Sequence, residues 1–403
     1  METENIIIIG GGLAGLTIAE YLAKKGSRNN VIVLEQYKMW GGRVVTYRNK
    51  EKGLQYEIGA GRIFHSHKRV GALVKRFGLT PYPISAESTV NGHPNNFIPL
   101  FDPIRKILKE LPKELLAKHT VTELVPKELQ PVLKNYPYWC EFNLMRADVA
   151  LPLFEPDETM GTDKPNEYYG LKEGLDSITT HLHDAAEKAG AVLKNRYNVT
   201  GIKRLAPDLF EITGVHGKKI NRKPFRFEAN KVIIATCRCG YVNFDILKNN
   251  PVMKQLATGP LTRIYAIYQP PLNIPEKVVT DGPLRFIIPI NPKSGLIMIS
   301  YTDGDDTHFW NGLDGDALEE ALKKQLEKLF PDMVIPKTTY LQKHEWPSGC
   351  TYWLPGDYSP EAASKIAHNP EPNLYLTGES VSLTQTWMEG ALESAEYLST
   401  LLK

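Results

Sequence analysis

Four consecutive isoleucines, Ile6 to Ile9, open the hydrophobic pattern of the chain. A short β-branched run without alternation reads as a parallel strand buried on both faces. From Leu13 to Lys25 the pattern changes: Leu16, Ala19, Leu22 and Ala23 recur at helical spacing, and Gly26 ends the run. Val31 to Leu34 then predict a second buried strand. Further on, Gly174 to Gly190 reads as a helix, followed by strand candidates at Val199 to Leu205, Leu209 to Thr213 and Lys231 to Ala235. Strands are also expected at Leu261 to Tyr268, Leu284 to Ile290 and Gly295 to Tyr301. The next helix is expected to be capped by Asp316 with Glu319 at N3, and to bury Leu318, Leu322, Leu326 and Leu329. Asn373 to Thr377 predict a last strand, Gly378 to Ser380 a turn, and Trp387 to Leu402 a closing helix. The stretch from about Arg69 to Pro165 is different in texture, rich in Pro, Lys and Leu, with a helix-like segment at Ile104 to His119.

The turn between the first strand and helix is Gly10-Gly11-Gly12-Leu13-Ala14-Gly15, and Glu35 lies at the end of the second strand, twenty residues beyond Gly15. Strand, glycine loop, helix, strand and acid in this order are the fingerprint of a dinucleotide site. Gly10 permits the tight turn, Gly12 lets a pyrophosphate approach the backbone, and Gly15 lets helix and strand pack closely. Leu13 and Ala14 begin a helix whose N–H groups face the phosphates, while Glu35 accepts from a ribose 2′-OH. The fold class expected is α/β: a Rossmann-like nucleotide domain assembled from residues 1–68, 166–241 and 344–403, plus an α+β substrate-binding domain from residues 69–165 and 242–343.

Composition narrows the picture only a little. With 403 residues, 42% hydrophobic and 23% charged, the chain is an ordinary soluble composition long enough for two domains. A net charge of +2 gives no electrostatic case for a nucleic-acid partner. Cys140, Cys237, Cys239 and Cys350 lack zinc-site spacing, so no metal is expected and reduced thiols are. Met1 to Asn5 lead straight into the first strand, and no apolar run reaches the ~20 residues that span a bilayer. The expectation is a soluble cytoplasmic protein with no membrane partner.

Four ordered motifs add a family. Gly10 to Gly15, Gly41-Gly42-Arg43, Glu57-Ile58-Gly59-Ala60, and Gly378-Glu379-Ser380 followed by Trp387 to Ser394 resemble the flavin-containing amine oxidases, which include monoamine, polyamine and L-amino acid oxidases. The resemblance implies FAD as cofactor, a small-molecule amine or amino acid as substrate, and O2 as acceptor. It implies that Gly42 and Arg43 meet the pyrophosphate, that Glu379 after Gly378 lies near the ribityl chain, and that Gly59, Ala60 and Gly61 run along the isoalloxazine ring. Val199 would touch the adenine, and the helix start at Trp387 and Met388 would aim N–H groups at the flavin N1/O2 edge, favouring the reduced state.

Arg62, in Gly59-Ala60-Gly61-Arg62, resembles the L-amino acid oxidase branch, whose arginine at this place forks onto the substrate carboxylate. The segment Pro283 to Pro289 resembles that branch too, but Ile288 stands where a carboxylate-binding tyrosine is expected. Trp387 matches one wall of an aromatic cage, with Tyr352 or Trp353 as the opposite wall. Ser348-Gly349-Cys350-Thr351-Tyr352 resembles the monoamine oxidase segment that bonds flavin, with one glycine missing. Non-covalent FAD is therefore expected, with a covalent link through Cys350 as the alternative. Arg263 stands where the family carries a lysine bridged by water to flavin N5; either it organises that water or it lies on a partly exposed strand face with Tyr265 and Ile267. L-amino acids are the favoured substrate class. The alternatives are a polyamine or monoamine oxidase, with Glu155, Asp157 and Glu158 as tunnel acids, and a flavin dehydrogenase, desaturase or non-catalytic flavoprotein.

Overall fold

The computed structural model describes residues 4–26, 29–85, 88–90, 93–94, 97–134, 140–154 and 168–402. Two compact units make up the chain: Met1–Ile84, Tyr168–Ala257 and Tyr358–Lys403 form one, and Ser85–Glu167 with Thr258–Asp357 the other. Glu155, Asp157 and Glu158 lie outside the described residues.

The first unit is mixed α/β. Its centre is a five-stranded parallel sheet in the order Val192–Asn195, Asn29–Glu35, Glu4–Ile9, Lys231–Ile234, Leu374–Leu376. The isoleucine run occupies the middle strand, with Ile6 opposite Val31 on one side and Lys231 on the other. Ile7 and Ile8 are fully buried, which explains why the run has no polar alternation. The helix Leu13–Lys24 has two apolar faces. Ala14, Ile18 and Leu22 pack with Ile8, Val33 and Leu398. Leu13 and Leu16 pack with Ile178 and Leu182 of the helix Asp176–Lys188. An antiparallel meander of Tyr197–Ala206, Leu209–Lys218 and Asn221–Ala229 follows the edge strand.

A seven-stranded sheet organises the second unit, in the order Thr338–Trp353, Leu256–Tyr268, Leu296–Asp303, Phe286–Asn291, Lys277–Val279, Ser88–Val90, His93–Pro94. Leu318, Leu322 and Leu326 of the helix Gly315–Leu329 cover Ile264, Ile299 and Trp310.

Three local expectations are corrected. The helix after residue 310 starts at Gly315, not behind an Asp316 cap, because Glu319 is taken by Thr338, accepting from its backbone N–H at 2.6 Å and its hydroxyl at 2.8 Å; Leu329 is only half-buried. The segment 104–119 is two helices, Phe97–Glu110 and Lys113–Lys118, since Pro112 cannot continue the hydrogen-bond ladder. Cys237 and Cys239 are not reduced: they are joined by a disulfide with Cα atoms 5.4 Å apart, whereas Cys140 and Cys350 are not disulfide-bonded.

Candidate active site

The glycine loop is set by its own backbone. A Cβ on Gly15 would lie 2.1 Å from the Gly10 carbonyl oxygen, and one on Gly59 would lie 1.9 Å from that of Arg43, so neither position admits a side chain. Gly12 is different. Its φ of −82° suits any residue, and a Cβ there would meet nothing closer than 4.0 Å. The protein's own packing therefore does not demand glycine at 12 and leaves the space over the loop open to a bound group. The helix behind it has no side-chain cap, so its first N–H groups are left for an anion. Glu35 closes the other end of the cradle, accepting from the Gly11 and Tyr37 N–H groups at 2.8 Å each. Burial raises its pKa against those two hydrogen bonds. This combination of open glycine, uncapped helix and buried acid fits the ADP half of a dinucleotide.

The loops around Gly42 and Ala60 are tied together: Gly41 N–H donates to Gly11 O at 2.9 Å, and Ala60 N–H to Arg43 O at 2.9 Å. Arg43 pairs with Glu379 at 2.8 Å, and the other oxygen of Glu379 accepts from Thr386 N–H at 2.8 Å. Beside them Tyr241 donates to the Ser380 hydroxyl at 3.0 Å; burial pushes its pKa up to about 12, so it stays a donor. Gly378, with φ of +131°, turns the chain out of the last strand. Thr386 holds a left-handed φ of +70°, a strained position for a β-branched residue, immediately before Trp387. The closing helix Met388–Leu401 then begins without a side-chain cap, Met388 being buried. Val199 is half-buried in the first meander strand, opposite Gly214.

Next to Gly61 the structure assembles an aromatic box. The Arg62 guanidinium lies 4.5 Å from the Tyr168 ring and 5.8 Å from Trp387. Phe64 sits 4.4 Å from Tyr168 and 4.7 Å from Trp387, and His67 lies 5.0 Å from Trp387. Burial lowers the His67 pKa, partly opposed by Glu389, so the ring is neutral at physiological pH. Glu389 is itself buried. It accepts from the backbone N–H groups of Arg69 at 3.1 Å and Val70 at 3.0 Å, capping the helix Lys68–Arg76 and tying it to the start of the closing helix. The sequence singles out Arg62 and Trp387; Phe64, His67 and Tyr168, which the fold brings against them, and Tyr241 and Glu389 were not singled out. His67 and Phe64, both within five residues of Arg62, were the available signal.

Arg263, Tyr352, Trp353 and Cys350 belong to the second unit. Arg263 is buried, with its guanidinium 4.7 Å from the Tyr301 ring, and Tyr265 is 1% exposed, so of the strand face expected to be partly exposed only Ile267 is. Burial, with the Arg263 charge, lowers the His344 pKa to about 4. Tyr352 is packed with Phe142 and Phe286 and hydrogen-bonds Glu141, whose carboxyl burial holds well above its ordinary range. Asp303, also buried, is pushed up to about 6. Trp353 is 1% exposed, and Cys350 packs half-buried against the same cluster. Arg285 of the Pro283–Pro289 segment is a structural cation, bound to Asp306 at 2.9 Å and to the Lys134 carbonyl at 3.0 Å. Ile288 faces Met298 across the sheet. Among the described residues no cluster could hold a metal ion.

A glycine loop with an uncapped helix and a buried acid, and in the same unit a cation seated on an aromatic box, fit a flavin-dependent oxidoreductase. The chain belongs to the flavin-containing amine oxidoreductase family, which it matches over residues 13–145 and 134–400. It therefore oxidises CH–NH2 or CH–NH groups of a small molecule with a flavin cofactor. Among its relatives, the L-amino-acid oxidase of Siganus canaliculatus is 24% identical over 98% of this chain and 84% of that protein. That of Bothrops pauloensis is 24% identical over 97% of this chain and 87% of that protein. The structure of the cyclohexylamine oxidase from Brevibacterium oxydans IH-35A superposes with a TM-score of 0.74, covering 99% of this chain and 98% of that one at 16% identity, a likeness of fold.

Proposed function

We propose that the protein is an FAD-dependent oxidase of L-amino acids, with the five-stranded sheet and its glycine loop serving as a Rossmann-like FAD-binding domain. The observation that carries the substrate class is Arg62, a cation seated on the faces of Tyr168 and Trp387. A guanidinium in that setting is poorly hydrated and presents a planar fork, which a carboxylate complements with two charge-assisted hydrogen bonds. An amine lacking the carboxylate offers that fork no anion. The full-length relatives named L-amino-acid oxidase favour the same reading.

The chemistry FAD supplies when bound is acceptance of a hydride from the amine-bearing carbon and reoxidation by O2 to H2O2, the imine product hydrolysing afterwards. The protein's part is placement. Arg62 fixes the carboxylate, Trp387 and Phe64 offer apolar faces that exclude water, and the neutral His67 adds no charge against the substrate amine, which must be unprotonated to support a developing iminium. Uncapped N–H groups at Met388 would stabilise negative charge on the reduced ring. Cys350 forms no bond to flavin in this reading and FAD is held non-covalently, so acid precipitation should leave the yellow colour in the supernatant.

The test is anaerobic mixing of the flavin-loaded protein with L-amino acids, polyamines and arylalkylamines, read by bleaching of the flavin band. Bleaching by amino acids and not by amines is expected. Bleaching by amines alone would replace the reading with that of a monoamine or polyamine oxidase.

A further inference from the structure

The hairpin joining Leu209–Lys218 to Asn221–Ala229 takes no part in the flavin cradle. From Ile212 to Phe227 it contains no acidic residue and carries Lys218, Lys219, Arg222, Lys223 and Arg226, a local charge exceeding the +2 of the whole chain. Arg226 is engaged by Glu211 and Glu228. Among the described residues, no carboxylate lies at ion-pair distance from the other four, all of them exposed.

Between these cations the chain places an isoleucine. Lys218 pairs with Asn221 across the ladder, so Lys219 and Ile220 form the two-residue tip, and Ile220 is 96% exposed. Two-residue hairpin turns favour Asn, Asp and Gly, so turn geometry does not call for isoleucine, and Ile220 packs on almost nothing. Behind the tip stands an aromatic ledge: Tyr197 stacks on His216 at 4.9 Å and meets Phe225 at 5.1 Å.

We propose that this tip is a docking element for an anionic phospholipid surface, with Ile220 entering the boundary between headgroups and acyl chains while Lys218, Lys219, Arg222 and Lys223 meet the lipid phosphates. A polyanion such as RNA would complement the cations but offers nothing to a bare isoleucine; a bilayer interface accommodates both. No helix among the described residues is long and apolar enough to cross a membrane, so the attachment is peripheral and reversible. This revises the sequence-based expectation of no membrane partner, which considered spanning segments only. Each basic residue at an anionic surface strengthens attachment by about fivefold.

The flavin-loaded full chain should co-sediment with vesicles of phosphatidylcholine mixed with phosphatidylserine, not with phosphatidylcholine alone, and should be released by salt. Lys218→Glu with Lys219→Glu should abolish sedimentation. Ile220→Asn should weaken it while the salt dependence persists. Both variants alter only exposed side chains, and an unchanged flavin spectrum checks their folding; the single Lys223→Gln change, with about a fivefold loss, serves if the double variant fails to fold. Failure to sediment with anionic vesicles, sedimentation of the charge variants like the parent, or an unaltered Ile220→Asn variant would overturn the proposal. So would binding to heparin without binding to vesicles, which would mark a polyanion site.

Discussion

Replacing Arg62 by alanine separates the carboxylate reading from every other. The guanidinium is already seated on Tyr168 at 4.5 Å and near Trp387 at 5.8 Å, so little side-chain ordering is left for substrate binding to bring about. Losing one partner of a charge pair that bound substrate desolvates costs about 2–5 kcal/mol. At about 1.4 kcal/mol per factor of ten, the loss in kcat/KM for an L-amino acid is roughly 30-fold to several-thousand-fold. The change also removes two cation–aromatic contacts, of about 0.5–1 kcal/mol each, so a small drop in stability accompanies it. The assay is anaerobic stopped-flow reduction with L-leucine and with the amine left by its decarboxylation. Rates with the amine should stay constant or rise, because a like charge has gone. Arg62→Lys, keeping charge without the fork, should fall between. Unchanged reduction by L-leucine, or an equal fall for both substrates, would rule out carboxylate binding by Arg62.

Other predictions follow from the same structure. Gly15→Ala puts a methyl 2.1 Å from the Gly10 carbonyl oxygen; the protein should be destabilised by about 1–3 kcal/mol and purify with less than one flavin per chain, whereas full flavin content would contradict the tight helix–loop packing. Glu389→Ala strands the N–H groups of Arg69 and Val70 at a helix start, a loss of about 1–3 kcal/mol by thermal melting, with partial recovery in Glu389→Gln, which keeps an acceptor. His344 has its pKa lowered to about 4 from an ordinary 6.5 by burial and the Arg263 charge. A depressed folded-state pKa means its contribution is complete above pH 6.5 and is lost as pH falls toward 4. Denaturation midpoints across that window should slope less in His344→Gln, and identical slopes would dismiss the assignment.

Much of the first unit was legible because its signals are local. Ile6 to Ile9 announce a doubly covered strand by composition alone, and the turn from Gly10 to Gly15 depends on backbone contacts within a few residues. What escaped depends on distant partners. The strand Asn221–Ala229 has Arg222, Lys223 and Pro224 at its start, and its pairing with Leu209–Lys218 overrides that composition. Thr338–Trp353 is an edge strand with largely half-exposed residues, so no apolar run marks it. Glu319 matched a capping box, yet Thr338, nineteen residues on, competes for its carboxylate and wins. In the candidate site, Arg62 and Trp387 stand in motifs and are singled out by them. Tyr168 is an ordinary aromatic until folding lays it beneath Arg62, and Glu389 reads as a first-turn acid until it caps another helix. The bond between Tyr352 and Glu141, more than two hundred residues apart, is likewise invisible in sequence.

Carboxylate capture by Arg62 is tested most directly without turnover, by titrating the flavin-loaded protein with benzoate, which cannot be oxidised, and following the flavin absorption band. Benzoate should give a saturable spectral shift and compete with L-leucine, and Arg62→Ala should lose both. A parent protein whose spectrum ignores benzoate, or a variant that responds as the parent does, would contradict carboxylate capture by Arg62.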